Sequence, residues 1–492
     1  MPMQPIRRSV PVKGMNTVAP PRAMSEEYSP VLENTWYDDG ITLRRRLCHS
    51  ISNTTVVPAA GVKEIFEYSY GGTTKRFIQD TAGLLSLDTG TAYTSQTQTF
   101  TGEIGSASLK ARMVVGDGVA NAKVYNGSTW AAPTVTPAPV GDATIGNIFH
   151  THRGRVYAAG NTTFPMTLFV SDTIASSGVN YWSQVLATGQ QGFLIDCTGD
   201  ISSGDEITGI TTHRGFLVVF CRNHILFYTI SESAGYTSSL YKVIQGEGCV
   251  SGKSIQAIGE ETIFLSPNGF KKLSVSLIQG DSQVNDLSSP INNEVKDLLN
   301  GGTVVEADIR STYNPRYGLY ICTLGTTQWA YQTQFESWYR WTGLNRVLFT
   351  DSTLTTYSGA AYMCTLSNTV FRDEFTPAAF TAVNYRWTPS PFRSPNLEHK
   401  PRWRRLELVY ETDGATEDVT FSYYLDLDFA VKTTATYTLT PTETLENGMN
   451  SGKFELPIVG RSELISFDIS NNANSDFRCK IVEVYMNDGG LR

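Results

Sequence analysis

The sequence predicts an all-β protein with a β-propeller-like body, an extended N-terminal arm and a C-terminal β-sandwich. Three observations support this prediction. Only 17% of the residues are charged while 11% are aromatic, a composition that favours strands. Short alternating apolar segments separated by glycine-containing turns recur from residue 51 onward. The 492 residues exceed the roughly 250–300 at which a single core stops growing, so more than one domain is expected.

Residues 1–50 form the predicted arm, because they lack a periodic apolar pattern and their prolines keep the backbone extended. The second half of the arm carries apolar side chains that need a surface to cover them, namely Leu32, Trp36, Tyr37 and Leu43. We expect residues 28–50 to dock on this chain's own domain or on a neighbouring subunit. Trp36 and Tyr37 are therefore candidate inter-subunit or partner contacts. For residues 1–25, docking and disorder both remain open.

Residues 51–379 form the predicted propeller-like body. Two stretches share a unit made of a His-Arg-Gly turn, an apolar strand, a polar turn and a second strand. They are THRGRVYAAGN from Thr151 and THRGFLVVFCRN from Thr212, 61 residues apart. A hairpin unit repeated at such a period indicates propeller blades, and roughly 40–60 residues per blade allows about six blades. The repeated His152 and His213 are interpreted as turn elements rather than as catalytic residues.

One short helix and one further domain complete the prediction. Ser289 and Pro290 are good helix-starting residues, the apolar residues that follow have helical spacing, and Gly301 ends the pattern. The sequence therefore predicts a helix near 289–300, inserted between strands, and favours packing on its own domain over binding of a partner. Residues 380–492 begin with a proline-rich connection and continue as six alternating segments, which predict an antiparallel β-sandwich.

The sequence carries no pattern of an active site. It has no GxSxG, HExxH or GxGxxG motif in the required context, and Gly252–Lys253–Ser254 misses a P-loop because Glu247 replaces its first glycine. The seven scattered cysteines form no CxxC pair and are read as buried thiols of a cytoplasm-made protein. We expect no enzyme activity, no cofactor and no metal site. The N-terminus has no signal-peptide pattern, and no apolar run is long enough to span a membrane.

Basic residues concentrate just before the first long strand of the predicted sandwich, and acidic residues follow them. The basic ones are Arg386, Arg393, His399, Lys400, Arg402, Arg404 and Arg405. They fit solvated strand faces and loops, or a complementary surface for a like subunit or another partner. Arg393, Arg402, Arg404 and Arg405 are the candidate contacts. DNA binding is less favoured, because the chain has a net charge of −8.

Two tryptophans motivate an alternative function. Sugars stack on exposed aromatic rings, so Trp338 and Trp341 would suit a sugar-binding or polysaccharide-degrading propeller, such as a tail spike or a lectin-like protein. The competing interpretation is that both rings pack inside a blade.

Three stretches together suggest a family. They are VKGMNTVAPPRAMSEEYSPVLENTWYDDGITLRRR from Val12, the region of residues 200–275 that includes THRGFLVVFCRNHILFYTI, and KPRWRRLELVYETDG from Lys400. In these stretches the chain resembles the tail-hub, or nozzle, proteins of short-tailed bacteriophages, which are related to the packaged-DNA stabilisation protein. The likeness is strongest over residues 200–275.

The resemblance implies a structural virion protein made in the host cytoplasm. Its copies would form a homo-hexameric ring below the portal and the adaptor, or head-to-tail connector, protein. Double-stranded DNA would pass through without sequence recognition, and tail fibre, spike or needle proteins would attach. The resemblance implies no membrane insertion and supplies no catalytic residues. An acidic channel wall would repel phosphate and let a duplex slide past.

Overall fold

The computed structural model describes most of the chain, and all structural statements below concern these residues. They are residues 4–37, 42–46, 49–51, 61–133, 144–173, 182, 192–201, 204–232, 235–275, 282–302, 304–315, 317–342, 346–348, 362–365, 370–373, 384–394, 400–414, 416–428, 432–446, 449–471 and 475–487. Within them the protein is almost entirely β structure, as the composition predicts.

The propeller-like body is built from four-stranded antiparallel meanders, which we name blades 1 to 7 in chain order. The strands of the first four blades are Val62–Tyr70, Thr73–Asp80, Leu84–Asp88 and Tyr93–Thr99; Gly105–Leu109, Arg112–Gly116, Lys123–Tyr125 and Trp130–Ala131; Ile148–His152, Arg155–Ala159, Thr167–Val170 and Phe193–Asp196; and Ile207–His213, Phe216–Cys221, His224–Ser231 and Thr237–Gln245.

The remaining three blades follow the same plan, and the last of them takes its fourth strand from the N-terminal arm. Their strands are Gln256–Ile258, Glu261–Ser266, Gly269–Val275 and Ser282–Asp286; Arg310–Asn314, Leu319–Leu324, Thr327–Gln332 and Ser337–Trp341; and Arg346–Leu348, Tyr362–Thr365, Val370–Asp373 and His49–Ile51. The first strands of successive blades contact one another, so they line the propeller axis.

The described residues thus form seven blades, where the length of the predicted body allows about six. The offset of 61 residues between the two sequence repeats overstates the length of a blade, since all four strands of blade 2 lie within residues 105–131. Blade 7 is completed only when His49–Ile51 pairs with Val370–Asp373. A strand from before blade 1 therefore fastens the last blade, which ties the two ends of the propeller together.

The repeated His-Arg-Gly element is a tight hairpin turn. In blade 3, His152 pairs with Arg155 across the two-residue loop Arg153–Gly154, and both loop residues have positive φ, 44° and 78°. Blade 4 repeats this geometry at Arg214 and Gly215, with φ of 49° and 83°. Two consecutive positive φ values match the right-handed twist of the flanking strands, and glycine tolerates this conformation best.

The C-terminal β-sandwich consists of two sheets, which we name sheet A and sheet B. Sheet A has seven strands: Thr35–Tyr37, Leu43–Arg45, Arg478–Asn487, Arg402–Thr412, Asn450–Arg461 and Glu443–Thr444 in that order, with Gln4–Ser9 also paired to Arg478–Asn487. Sheet B has ten: the four strands of blade 6, then Val31–Glu33, Tyr385–Thr388, Leu464–Asn471, Glu417–Leu425 and Lys432–Leu439, with Phe392–Arg393 paired to Leu464–Asn471.

Apolar packing joins the two sheets into one core that also includes blade 6. Phe421 of sheet B stacks on Phe454 of sheet A with ring centroids 5.1 Å apart, and six tryptophans of this region are fully buried. Separate apolar clusters lie between neighbouring blades. The sandwich and blade 6 therefore share a core to which blade 5 also contributes, whereas blades 1 to 4 pack against their neighbours through the separate clusters.

Within the described ranges, helical structure is limited to short segments. A 3-10 turn over Ser289–Ile291 leads into the α-helix Asn292–Asn300, where the sequence predicts a helix. Val295 is the buried residue of the helix, and Ile291 just before it is buried too. The other 3-10 turns are Pro21–Ala23, Thr198–Asp200, Gly252–Ser254 and Glu306–Asp308.

Candidate functional site

Four charged side chains meet at the propeller axis. Glu64 belongs to the first strand of blade 1 and Glu103 precedes that of blade 2, while Lys253 precedes blade 5 and Arg310 begins blade 6. Arg310 Nη2 lies 2.9 Å from Glu64 Oε2 and 3.1 Å from Glu103 Oε1. Lys253 Nζ lies 2.8 Å from Glu103 Oε1 and also binds Glu64. We call these four residues the axis cluster; they connect blades from opposite sides of the ring.

The axis cluster is neutral, and two of its four side chains are buried while the other two are about one quarter exposed. The side chains of Arg310 and Glu64 are 5% and 9% exposed, so both charges depend on their partners rather than on water. Burial alone would raise the pKa of Glu103, but Lys253 and Arg310 outweigh it and hold that pKa below its ordinary value. Two cations balancing two carboxylates close the axis and present no free acid, base or nucleophile to a substrate.

Gly252, Lys253 and Ser254, which resemble the end of a P-loop in sequence, each have a structural role near the axis cluster. A Cβ on Gly252 would lie 2.3 Å from the Thr208 carbonyl oxygen, so the glycine allows two backbones to approach. Ser254 Oγ donates to the Ser251 carbonyl at 2.6 Å and accepts from the Leu265 N–H at 3.0 Å. Lys253 is held by the axis cluster. None of the three residues is arranged to bind phosphate.

The repeated histidines connect adjacent blades. His152 Nδ1 lies 2.9 Å from Thr212 Oγ1 in blade 4, and His213 Nδ1 lies 3.1 Å from Thr262 Oγ1 in blade 5. Burial lowers the pKa of His152 to about 4 and also lowers that of His213. Both rings therefore stay neutral at pH 7 and act as structural links between blades, in agreement with their interpretation as turn elements.

The structure places Trp36 and Tyr37 inside the molecule. Trp36 packs edge-on against Tyr317 at 5.1 Å, and Tyr37 packs against Phe335 and Tyr339, each at 5.7 Å. Gln332 Nε2 donates to the Tyr37 carbonyl at 2.8 Å. The two side chains contact blade 6 of their own chain, so as partner contacts they are inaccessible unless the arm is displaced.

The four candidate arginines divide into two groups. Arg393 is exposed and donates to the Arg22 carbonyl, which fixes the arm. Arg405 lies 2.7 Å from Glu407 and 3.2 Å from Glu455, so its charge is already neutralised within sheet A. Arg402 and Arg404 lie at the beginning of the same strand, and Arg402 is exposed. Their role as partner contacts stays a prediction.

The two tryptophans that motivate the sugar-binding alternative are buried. Trp338 is 1% exposed and Trp341 is 0% exposed. Their indole N–H groups donate to the carbonyls of Leu287 and Thr35, each at 2.9 Å. Neither ring offers a face to a sugar, so the interpretation that both rings are packed inside the molecule is confirmed, and the sugar-stacking alternative is not met at these residues. Both rings are part of the packing between blade 6, the helix region and the arm.

The described residues show no metal-binding group, no disulfide and no helix that could span a membrane. They contain no group of three or more His, Cys, Asp or Glu side chains that could hold a metal ion. The five cysteines among them are buried and form no disulfide, and burial raises the pKa of the Cys249 thiol to about 11. No helix in the described ranges is long and apolar enough to cross a membrane.

The axis cluster has no local pattern in the sequence that would predict it. Its members lie as far apart in the chain as Glu64 and Arg310. The one local signal was the Gly252–Lys253–Ser254 string, which points to a different chemistry. Such a cluster becomes visible only when the order of the blades around the axis is known.

Comparison with known proteins yields structural likeness only. No protein-family model matches the chain, and no curated protein sequence matches it. Among solved structures, it is similar to YCF48 from Cyanidioschyzon merolae, with 12% identity over 65% of this chain and 98% of that chain and a TM-score of 0.40. A structure of YCF48 bound to D1 peptide has 7% identity over 71% of this chain and 99% of that chain, with a TM-score of 0.40.

A third similar structure is the extracellular domain of a one-component system from B. thetaiotaomicron. It has 9% identity over 88% of this chain and 62% of that chain, with a TM-score of 0.43. The order of the sheets described above establishes the propeller fold, and these low identities and TM-scores add no argument to it. The fold and the axis cluster together define a β-propeller protein whose arm and sandwich are joined to the propeller.

Proposed function

We propose that the chain is a non-enzymatic structural virion protein that forms the tail hub, or nozzle ring, of a short-tailed phage. In this role its copies surround the DNA channel below the portal and the adaptor, retain the packaged DNA and anchor fibres or spikes. The observation that carries the proposal is the course of the N-terminal arm, which contributes strands to three different sheets. The sequence resemblance supplies the particular assembly.

The arm joins the propeller to the sandwich mechanically. Val31–Glu33 runs parallel to the last strand of blade 6, with Glu33 opposite Arg340, and antiparallel to Tyr385–Thr388 on its other side. Farther along the arm, His49–Ile51 completes blade 7. Separating the propeller from the sandwich would require breaking the backbone hydrogen bonds on one side of Val31–Glu33 together with the arm's pairing in either blade 7 or sheet A. This link between propeller and sandwich suits a subunit that must keep its structure under the pressure of packaged DNA.

The axis cluster supports one detail of the proposed assembly. Because charged side chains from opposite blades meet at the propeller axis, a DNA duplex has no path through a single propeller. In the proposed ring, DNA therefore passes between chains rather than through any one of them. The acidic residues relevant to sliding would be those facing the axis of the ring.

Reconstitution tests the proposal. The purified full-length chain is mixed with portal–adaptor particles and imaged by cryo-electron microscopy, with particles lacking the adaptor as the matched control. We expect a ring of copies below the adaptor and none in the control. A chain that stays monomeric and fails to join the particles would contradict the proposal. Cleavage or saturable binding of host capsular or O-antigen glycan by the isolated chain would favour the sugar-acting alternative instead.

A further inference from the structure

The outer face of sheet A is positively charged at one end. Arg402 lies directly opposite Arg461 on the neighbouring strand and opposite Asn487 on the other side. Both arginines are exposed, and Arg404 lies at the bulge next to them. Like charges directly opposite in a sheet destabilise it unless something else neutralises them. Within the described ranges, none of the three arginines forms an ion pair.

Nearby charges do not compensate for this basic end. Lys400 pairs with Asp426 at 2.8 Å, so that pair adds no net charge. Glu463, two residues beyond Arg461, is exposed and forms no ion pair with it in the described part of the chain. Among the residues that the structure describes, the basic end retains a net positive charge. Val459, which precedes it on the same strand and face, is 72% exposed and adds an apolar contact area.

The opposite end of the same face is acidic. Glu443 pairs in register with Ser451, near the start of the strand that ends at Arg461, and Glu446 follows it. Asp413 comes directly after Thr412, which lies opposite Asn450. All three carboxylates are exposed, and none has an ion-pair partner among the residues that the structure describes.

The middle of the face is neutralised internally. Arg405 pairs with Glu407 and Glu455, Lys453 pairs with Glu407, and Lys480 pairs with Glu411. Ten residue steps separate Ser451 from Arg461, which is about 33 Å along a strand. The two charged ends therefore cannot neutralise each other within one chain, since a Debye length is only about 8 Å at physiological salt.

We infer that the basic end of sheet A binds the acidic end of sheet A on a second copy of the chain. Unlike ends meet, so a contact that uses one end of each copy is head-to-tail and generates a ring or a filament. A face-to-face two-fold dimer would pair the same ends, and it differs in that its assembly stops at two copies. The inference deepens the proposed function and rests on it, because it names the surfaces through which the ring subunits would join. A second copy is favoured over DNA because it offers an opposite charge to each end, whereas DNA would suit only the basic end, and the chain is acidic overall.

Charge reversal tests the inference on the full-length chain. One variant carries Arg402→Glu and Arg461→Glu, the other carries Glu443→Arg and Glu446→Arg, and Arg214→Glu on the propeller is the control. Sedimentation velocity over a concentration series gives the association constant. We expect each double variant to associate at least about ten-fold more weakly than the wild type, and the control to associate normally. Raising the salt concentration should weaken the wild type as well.

Rescue makes the test specific for contact between the basic end of one copy and the acidic end of another, and growth beyond two copies in sedimentation distinguishes a head-to-tail contact from a two-fold dimer. An equimolar mixture of the two double variants, or one chain carrying all four substitutions, should associate again because opposite charges face each other. A wild-type chain that is monomeric, double variants that associate normally, or a failed rescue would each overturn the inference. Loss of duplex DNA binding with unchanged self-association in the Arg402→Glu/Arg461→Glu variant would overturn it in favour of nucleic acid.

The outcome also separates this inference from the proposed function. If both double variants still form rings on portal–adaptor particles, the interface is wrong and the tail-hub role stands. If the charge-dependent contact is confirmed but wild-type assemblies do not bind the portal–adaptor particles, the interface is correct and the tail-hub role is wrong.

Discussion

Replacement of Arg310 by methionine should loosen the propeller at its axis. Methionine keeps much of the volume and the apolar stem of arginine but removes the charge that contacts both Glu64 and Glu103. Two carboxylates then share Lys253 as their remaining cation within the cluster. Since blades 1 and 6 are held across the axis by this contact, we expect their first strands to open more often.

The expected magnitude follows from the burial of the cluster. Breaking a buried ion pair by removing one partner costs about 3–5 kcal/mol. Lys253 remains on both carboxylates and is 25% exposed, so the loss should be lower, about 2–3 kcal/mol. At 1.4 kcal/mol per factor of ten, opening should become roughly 30–150-fold more frequent.

Native-state hydrogen exchange measures this opening strand by strand. Amides of Val62–Tyr70 and Arg310–Asn314 should exchange faster in Arg310→Met, whereas those of Phe216–Cys221 in blade 4 should not. Arg214→Met is the matched control, because its partner Glu260 is 79% exposed and such a pair contributes only about 0–1 kcal/mol.

A second substitution separates charge from packing. Glu64→Gln combined with Arg310→Met removes the one carboxylate in excess, so exchange should be slower than in Arg310→Met alone. Equal exchange in the Arg310→Met and Arg214→Met variants would refute the reasoning, and so would faster exchange in the double variant.

Three further predictions concern buried groups. Burial raises the pKa of Asp172 to about 7 from its ordinary 3.8, so the folded state binds the proton more tightly and stability falls as pH rises between these values. Asp172→Asn should remove this fall, worth about 2–4 kcal/mol, and urea unfolding at pH 5 and pH 8 checks it. His150 and His152 act in the opposite sense, because burial lowers both pKa values to about 4; stability should fall as pH drops from about 6.5 to 4, and His152→Gln should reduce that loss in the same assay. Trp36→Ala should cost about 3–5 kcal/mol and expose the arm to limited proteolysis, whereas unchanged resistance would contradict its role as an anchor.

Local features of the fold could be predicted because neighbouring residues decide them. The hairpin at Arg153–Gly154 depends on two residues that accept positive φ, and the helix Asn292–Asn300 depends on its starting residues and apolar spacing. These interactions lie within a few positions of each other in the chain.

The burial of aromatic residues could not be predicted in the same way. Trp338 and Trp341 lie in a strand whose sequence is compatible with either exposed or covered rings. They are covered because the arm and the helix region pack against blade 6, and these segments are far away in sequence. The rings of Trp36 and Tyr37 likewise pack against aromatic side chains of blade 6 in the same chain, which are far away in sequence.

Thus the sequence by itself determined the all-β class, the hairpin turns and the position of the one short helix, since each depends on residue type and short-range spacing. Only the tertiary structure decided the number of blades, the three sheets that the arm joins and the meeting of Glu64, Glu103, Lys253 and Arg310 at the axis. The physical reason is that strand pairing and ion-pair formation across a ring depend on which distant segments become neighbours. That choice is made by the packing of the whole chain, and no local pattern records it.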